Sequence, residues 1–408
     1  MSQNQKRKIC VVNGKRGGFN ALLATMKAID ESTELELQVL LTDMHLSKQF
    51  GYTLDYAKKF INVSKTVPIG QTGASALERT EALGRGLTGI AAAFAELEPD
   101  IVLLLGDRSE TLVAAFAALQ LKIPVAHIQG GEVSGNIDGI QRHAITKLSH
   151  IHFTETELAR QRVLKLGEEL WRVHNFGAPY MDFLMQKLYT PESIVREKYG
   201  LKTDEPFLLV LQHPVTTEPN KSYAHMKELL SAVLDTKMKA IIAYPCSDQG
   251  YQGIVDAIEE ERENPDFSIY KNIPAEDFIG LQATCSALLG NSSAAIYEAP
   301  YIYCPAVNIG RRQFKREKEN NVFDAEPNKQ SIKQAIDFVL NDEHFKKRMR
   351  KPKWIYGDGN AYKRIVNFLR KVPLDRKLFE KKLTYYSLRR QIYDKYFRKL
   401  YGKIRSMW

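Results

Sequence analysis

The sequence has few cysteines and lacks any apolar run long enough to cross a bilayer. Its cysteines, Cys10, Cys246, Cys285 and Cys304, show neither the paired spacing of a zinc site nor the density of a disulfide framework. No apolar run approaches the roughly twenty residues that span a membrane. The apolar stretch near the amino terminus is too short for a signal peptide and is typical of a first strand. These absences predict a cytoplasmic protein whose cysteines are reduced core residues.

The body of the chain also lacks excess charge. The net charge is +10, but residues 371–408 contain 12 basic side chains and 3 acidic ones, so nearly all of the excess lies in this tail. A nearly neutral body gives no electrostatic reason to expect binding to DNA or RNA. From Phe379 to Trp408, apolar and aromatic residues recur at helical intervals among basic ones, which predicts a basic helical tail. Two roles stay open for it: packing on the body or a second subunit, or peripheral contact with a membrane or partner.

Strands and helices alternate twice along the chain, and 408 residues suit two α/β domains better than one core. Short apolar runs predict strands, and 3.6-residue periodicity predicts the helices between them. Strands are predicted at 8–13, 35–41, 101–105, 124–128, 173–176, 207–212, 240–244, 287–290 and 306–309. Helices of the first half are predicted at 20–30, 75–97, 110–121, 135–150 and 155–167.

This order predicts an α/β fold of two Rossmann-like domains with a ligand cleft between them, the GT-B-like architecture of many nucleotide-sugar enzymes. We expect residues 1–180 to form the amino-terminal domain and 181–350 the carboxyl-terminal domain. A helix within 351–370 is expected to return to the first domain, and 371–408 to form the tail.

Chemically active side chains follow the two strands predicted at 101–105 and 124–128. Ligands of open α/β sheets bind just beyond the carboxyl ends of such strands. The side chains expected there are Asp107, Arg108, His127, Gln129 and Glu132, and the next predicted helix adds Asp138, Arg142 and His143. For His127 and His143 a structural role as satisfied core histidines is the alternative. Acids, bases and cations within about fifty residues predict the chemical centre of the protein.

Two further segments are suited to an anion. Gly14–Gly18 is a predicted glycine loop with Lys15 and Arg16, and free backbone N–H groups beside cations stabilise a bound phosphate. Ser292 and Ser293 follow the strand at 287–290 and are predicted to cap a helix, whose positive end favours the same ligand. A carboxylate at Glu298 matches a pair of ribose hydroxyls. A tight turn with solvated cations and a purely structural helix cap are the alternatives.

Several long motifs resemble one family. HIQGGEVSGNIDGIQRHAITKLSHIHF, GAPYMD, HPVTTE, GNSS and GRRQ are similar to the hydrolysing UDP-N-acetylglucosamine 2-epimerases of sialic and legionaminic acid biosynthesis, over residues 8 to 370. The resemblance implies conversion of UDP-N-acetylglucosamine, or a UDP-diacetamido sugar, to UDP and the free 2-epimer of the N-acetylmannosamine type. It also implies a glycal intermediate and a place in surface or capsular polysaccharide synthesis.

The resemblance implies roles for individual residues. Asp107 and Asp138 are expected to move protons, Arg142 to lie in the sugar pocket and Glu298 to bind the ribose. The expected phosphate-binding set consists of Lys15, Arg16, His213, Ser292 and Ser293. This route requires no cofactor and no metal. The UDP-sugar is the expected partner, and we expect a homo-oligomer, a dimer or tetramer.

One position departs from this family pattern. Many relatives carry a catalytic glutamate where this chain has Gln129, and an amide cannot accept a proton at neutral pH. Three explanations stay open: Glu132 or His127 transfers the proton, the enzyme is slow, or its substrate differs. Two other functions also stay open, a GT-B glycosyltransferase and a catalytically weakened UDP-sugar-binding protein.

Overall fold

The computed structural model describes residues 6–48, 51–70, 76–133, 137–187, 189–246, 248 and 250–384. Two parallel sheets organise this part of the chain, one at residues 7–175 and one at residues 207–325. Both are covered by helices, which is the arrangement expected for strands that are apolar on both faces. The predicted α/β architecture of two Rossmann-like units is therefore confirmed.

The first sheet has seven strands in the order β3-β2-β1-β4-β5-β6-β7. The strands are β1 (Arg7–Asn13), β2 (Leu35–Thr42), β3 (Lys65–Val67), β4 (Ile101–Leu105), β5 (Val125–Ile128), β6 (Ile151–Thr154) and β7 (Val173–Asn175). In β4 all five side chains are buried, as its unbroken apolar run predicts. Leu105 pairs with Ile128, so the residues that follow β4 and β5 lie next to each other at the carboxyl edge of the sheet.

The second sheet has six strands in the order β10-β9-β8-β11-β12-β13. They are β8 (Phe207–Leu211), β9 (Lys239–Ala243), β10 (Phe267–Tyr270), β11 (Ala287–Gly290), β12 (Ala306–Ile309) and β13 (Val322–Ala325). The sequence analysis missed β3, β6, β10 and β13. These strands have three or four residues and contain polar side chains, so they lack the apolar run by which the others were identified.

Helices connect the strands of both sheets. In the first half they are α1 (Arg16–Asp30), α2 (Leu54–Lys58), α3 (Ala76–Leu97), α4 (Ser109–Gln120), α5 (Ile137–Leu148), α6 (Glu157–Lys165) and α7 (Pro179–Met185). The second half contains α8 (Glu192–Lys198), α9 (Ser222–Leu234), α10 (Tyr251–Glu259), α11 (Ala275–Thr284), α12 (Lys329–Asn341) and α13 (Glu343–Met349). Two more follow, α14 (Ala361–Lys371) and α15 (Arg376–Phe379).

The predicted glycine loop at residues 14–18 was wrong, because α1 already begins at Arg16. Gly14 and Gly18 instead allow close packing at this position. A Cβ atom added to Gly14 would lie 2.3 Å from Glu110 Oε1, and one added to Gly18 would lie 2.7 Å from Asn13 Nδ2. The glycines therefore let the start of α1 approach its neighbours.

The chain returns to the first sheet after the second one. Helix α14 packs on α1 and α7, and its Ile365 and Leu369 lie in the same apolar core as β1 and β4. Asp182 fixes the start of α14, since its carboxylate accepts hydrogen bonds from the N–H groups of Ala361 (2.8 Å) and Tyr362 (2.7 Å). The boundaries drawn at residues 180, 350 and 370 stay predictions.

Beyond α14 the chain lies against the edge of the first sheet. Helix α15 has four residues, and residues 380–384 are not helical, so the helix predicted from Phe379 does not run through them. Arg172 donates hydrogen bonds to the carbonyl oxygens of Leu378 (2.8 Å) and Lys377 (2.6 Å), while the Lys381 ammonium lies 2.8 Å from Glu168. The rest of the predicted tail helix, residues 385–408, lies outside the described residues. Of the helices described, none is both long and apolar enough to span a membrane.

Candidate active site

Side chains from the carboxyl edges of the two sheets meet in a cleft. Arg108, which follows β4, lies 3.9 Å from Asp248, which follows β9. Glu155, which follows β6, accepts a 2.7 Å hydrogen bond from Tyr297, which follows β11. These contacts place the two carboxyl edges opposite one another, and ligands of open α/β sheets bind at such edges.

Thr156 links the two halves beside this cleft. Its hydroxyl accepts the Ala159 N–H at 3.0 Å, which caps α6, and it donates to Glu317 at 2.6 Å. We expect Thr156→Ala to lower the free energy of unfolding by about 1 kcal/mol, because the cap and the link are lost together. Urea denaturation measures the change. Thr156→Ser keeps the hydroxyl and is the matched control; equal losses in both variants would contradict this assignment.

Asp107 is held by Arg142 at the tip of β4. The Arg142 guanidinium on α5 forms an ion pair with Asp107 and donates a 3.1 Å hydrogen bond to the Gln129 carbonyl oxygen. Burial favours the neutral form of Asp107, but Arg142 and Lys15 outweigh it and lower the pKa of this carboxyl. Asp107 is therefore ionised at neutral pH and fixed in direction.

Asp138 and Arg142 are four residues apart on α5, so they lie on the same face of that helix. Asp138 is half-buried. Its charge also acts on Arg108, whose pKa is raised first by Glu110 and to a smaller extent by Asp138. Helix α5 thus carries Asp138, one candidate proton-transfer carboxylate, and Arg142, the cation that holds the other candidate, Asp107.

Gln129 follows β5 and adopts φ +73°, a conformation uncommon outside glycine. Its side chain is buried, and Nε2 donates to Glu155 Oε2 (3.1 Å) and to the Tyr297 hydroxyl (3.1 Å). A small polar cavity beside it is also lined by Lys15, Asp107 and Tyr180. Gln129 is therefore in the site, with its amide nitrogen turned away from Asp107.

Two side chains could replace the carboxylate that many relatives carry at position 129, Glu132 and His127. Burial raises the pKa of Glu132 despite Arg316 and Arg142 nearby, and its Oε2 has no hydrogen-bond partner among the described residues. In His127, Nε2 lies 2.8 Å from the Gly106 carbonyl oxygen and Nδ1 lies 3.2 Å from the Thr146 hydroxyl. Burial lowers the pKa of His127 to about 3, so this imidazole is neutral with both nitrogens engaged. These contacts favour a structural role for His127.

His143 is half-buried on α5, and burial lowers its pKa. Among the described residues its Nδ1 has no hydrogen-bond partner. The imidazole is therefore neutral at pH 7, and no contact described here connects it to Asp107.

On the other side of the cleft, Asn291 holds His213. Its Oδ1 accepts the His213 N–H at 2.7 Å, and its Nδ2 donates to the His213 carbonyl oxygen at 2.9 Å. The Cys246 N–H donates to His213 Nδ1 at 3.1 Å, so Nε2 carries the ring hydrogen. Burial, together with the charge of Arg312, lowers the pKa of His213 to about 3. His213 is consequently a neutral hydrogen-bond donor.

The predicted helix after Asn291 is shorter than expected, a 3-10 turn at Ser293–Ala295. The Ser292 hydroxyl caps it by accepting the Ala294 N–H at 3.3 Å. Ser293 is half-buried, and burial raises the pKa of the neighbouring Glu298 to about 7. This segment therefore offers an anion backbone N–H groups and hydroxyls but no long helix dipole, and its phosphate binding stays a prediction.

The charge of Lys15 acts on both sides of the cleft, since it lowers the pKa values of Asp107 and His213. Arg16 begins α1, but its side chain lies outside the described part of the structure. Sequence reasoning missed Glu155, Tyr297 and Arg312 as site residues. Glu155 would have been found if Ile151–Thr154 had been recognised as a strand, because it directly follows that strand's carboxyl end.

Within the described ranges no group of three or more His, Cys, Asp or Glu side chains is arranged to hold a metal ion. The polar groups of the cleft are instead cations, hydroxyls and carboxylates set in pairs. These groups are suited to an anionic ligand and to proton transfer next to it.

Two facing nucleotide-type α/β units with such a cleft define a protein of the GT-B structural class. The crystal structure of UDP-GlcNAc 2-epimerase from Neisseria meningitidis bound to UDP-GlcNAc has the same fold, with a TM-score of 0.78, 20% identity and coverage of 90% of this chain and 100% of that one. The family model for UDP-N-acetylglucosamine 2-epimerase matches residues 27–370. The chain belongs to the UDP-N-acetylglucosamine 2-epimerase family.

Individual relatives are similar over most of their length. A UDP-N,N'-diacetylbacillosamine 2-epimerase (hydrolyzing) of Legionella pneumophila is 34% identical over 376 residues, 92% of this chain and 98% of the relative. A GDP/UDP-N,N'-diacetylbacillosamine 2-epimerase (hydrolyzing) of Campylobacter jejuni is 31% identical over 346 residues, 84% and 89% of the two chains. The family resemblance expected from the motifs is confirmed.

Proposed function

We propose that the protein is a hydrolysing 2-epimerase. It converts a UDP-linked 2-acetamido sugar, either UDP-N-acetylglucosamine or a UDP-diacetamido sugar, to UDP and the free 2-epimer. The observation that carries this proposal is the ionised, oriented Asp107 on one side of a cleft whose other side presents Ser292 and His213, which Asn291 holds in place. The activities named for the similar relatives favour it over a glycosyltransferase.

The chemistry explains why both sides are needed. The C2 hydrogen of the sugar is not acidic, since no carbonyl adjoins it, so the C1–O bond to UDP breaks first with oxocarbenium character. Loss of the C2 proton then gives a glycal, and water adds to the glycal with the opposite configuration at C2. Overall one water is consumed and one UDP is released. Departure of UDP requires cations and N–H dipoles, and the proton steps require carboxyl groups.

The residues take roles that follow from their positions. Lys15, His213, Ser292 and Ser293 stabilise the departing diphosphate, and Arg312 adds a cation next to His213. Asp107 and Asp138 transfer protons, Arg142 orients Asp107, and Glu298 accepts hydrogen bonds from the ribose. Glu132, whose Oε2 has no hydrogen-bond partner among the described residues, is the carboxyl proposed to take over a proton step beside Gln129. Arg16 is proposed for the diphosphate on the family pattern alone.

The location of the enzyme, its oligomeric state, its independence of a metal or cofactor and the role of its tail stay proposals. We place the enzyme in the cytoplasm, where nucleotide sugars are made, and we propose a homo-oligomer. The route assigns no step to a metal or cofactor. Contact of residues 371–408 with a membrane or partner stays a prediction that vesicle pelleting of the protein with and without this tail would test.

Product analysis in deuterated water tests the function. With UDP-N-acetylglucosamine or its diacetamido analogue, we expect equal amounts of UDP and free 2-epimer with one deuterium at C2, detected by proton NMR. The deuterium enters because the C2 proton is lost to solvent when the glycal forms, and D2O then adds across the C1=C2 bond and delivers a deuteron to C2. UDP-N-acetylmannosamine alone would identify a non-hydrolysing epimerase. Release of UDP only with an acceptor would identify a glycosyltransferase.

A further inference from the structure

The amide of Gln129 has one fixed orientation. Its Nε2 lies 3.1 and 3.3 Å from the two carboxylate oxygens of Glu155 and 3.1 Å from the Tyr297 hydroxyl. Its Oε1 faces the opposite way, since a Cβ atom added to Gly106 would lie 3.2 Å from it. Gly106 immediately precedes Asp107 and lines the same cavity. The acceptor end of the amide is therefore turned toward the proton-transfer residue.

Glu155 is the group that sets this orientation. Its side chain is completely buried and accepts from both Gln129 Nε2 and the Tyr297 hydroxyl, the latter at 2.7 Å. An ionised carboxylate can only accept hydrogen bonds, so each neighbour must turn a donor toward it. Leaving any of these buried groups unpaired would be unfavourable, which makes the three-residue arrangement cooperative.

Tyr297 connects this arrangement to the other half of the protein. It lies next to Glu298, just after the 3-10 turn that Ser292 caps, and its ring packs on those of Tyr180 and Tyr356 at 5.3 and 4.4 Å between centroids. A ligand held by that segment would thus be joined to Gln129 through Tyr297 and Glu155.

We propose that Glu155 is a positioning residue that holds the Gln129 amide with its oxygen toward the cleft, where it accepts a hydrogen bond from an N–H or O–H group of the sugar. This rests on the proposed epimerase function and deepens it. Gln129 then serves to orient the sugar, and the ionisable member of the pair is the fully buried Glu155.

The protonation of Glu155 decides whether the orientation is unique. A protonated Glu155 can donate to Gln129 Oε1 and allow the amide to turn over. Burial and then Glu132 raise the pKa of Glu155 to about 7, while its hydrogen bonds from Tyr297 and Gln129 and the charge of Arg142 lower it. The charge of Glu155 in turn helps to raise the pKa values of four tyrosines: Tyr180, Tyr297, Tyr301 and Tyr356. Activity that depends on ionised Glu155 is present above its pKa and is lost as the pH falls through about 7.

A double-mutant cycle tests the proposal. Glu155→Gln is expected to lower kcat/KM by about 10- to 100-fold, with UDP affinity unchanged, because the new side-chain amide adds a donor that competes for Gln129 Oε1. In the background Gln129→Met, whose side chain has no amide to orient, the same change is expected to have less than about a threefold effect. Equal effects in both backgrounds, or no effect in the first, would overturn the positioning role.

Tyr297→Phe gives an independent test if Glu155→Gln does not fold. It removes a hydrogen bond to the charged carboxylate, so the pKa of Glu155 should rise and the acidic limb of the kcat profile should move to higher pH. An unmoved limb contradicts the proposal. If the wild-type protein binds UDP-N-acetylglucosamine without turnover, the proposed function fails. The cycle is then measured on affinity for UDP-N-acetylglucosamine relative to UDP, and absence of coupling there overturns the inference separately.

Discussion

Replacement of Asp107 by asparagine is expected to lower kcat for UDP release by about 10²- to 10⁴-fold, the range for loss of a positioned acid or base. The amide keeps the size of the side chain and still accepts a hydrogen bond from Arg142. It cannot take up a proton, and it removes the negative charge that Arg142 and Lys15 stabilise. Steady-state release of UDP measures the effect.

The change should act on chemistry and not on nucleotide binding, because His213, which Asn291 holds in place, lies on the other side of the cleft. UDP affinity measured by calorimetry is therefore expected to stay within about threefold of wild type. Asp55→Asn, on the exposed surface of α2, is the matched control and should leave kcat unchanged. A full-rate Asp107→Asn enzyme would remove this carboxylate from the mechanism.

Replacement of Arg172 by methionine is expected to lower the free energy of unfolding by about 3–5 kcal/mol, as when one partner of a buried charged network is removed. The Arg172 side chain is fully buried and pairs with Glu169 at 2.7 Å. It also donates to the carbonyl oxygens of His150, Lys377, Leu378 and Glu380. Methionine fills much of the volume but leaves these acceptors without a donor.

Urea denaturation followed by circular dichroism measures this loss. Trypsin should also cleave near Lys377 and Lys381 faster in the variant, since Arg172 holds this segment to the sheet edge. Arg376→Ala is the control on the same segment: its side chain is 86% exposed. Removal of the Arg376 side chain should change the free energy of unfolding by less than about 0.5 kcal/mol. Similar unfolding midpoints for Arg172→Met and wild type would show that the segment contributes little.

Most of the strands and the residues at their carboxyl ends could be predicted because buried parallel strands are continuous apolar runs. The run at Ile101–Leu105 located Asp107, and the run ending at Ile128 located Gln129. Ser292 and Ser293 followed from β11 in the same way. In each case a local pattern gave both the element and the residue at its tip.

Short strands with polar side chains escaped this reasoning. Ile151–Thr154 contains the polar His152, which is fully buried with its Nε2 3.1 Å from the Glu168 carboxylate. No pattern in the sequence around His152 indicates that Glu168 will partner its ring. Missing β6 meant missing Glu155, and the start of α1 was misjudged because the glycines there serve contacts with Glu110 and Asn13.

The sequence by itself determined the two-unit α/β architecture, the family and most polar residues of the cleft, because these depend on apolar runs and on motifs within a few residues of each other. Only the tertiary structure decided which way those residues face. Gln129 is 26 positions from Glu155 and 168 from Tyr297, yet one buried amide donates to both. Its orientation depends on burial and on the competition of donors for one carboxylate, which arise only when the two sheets meet.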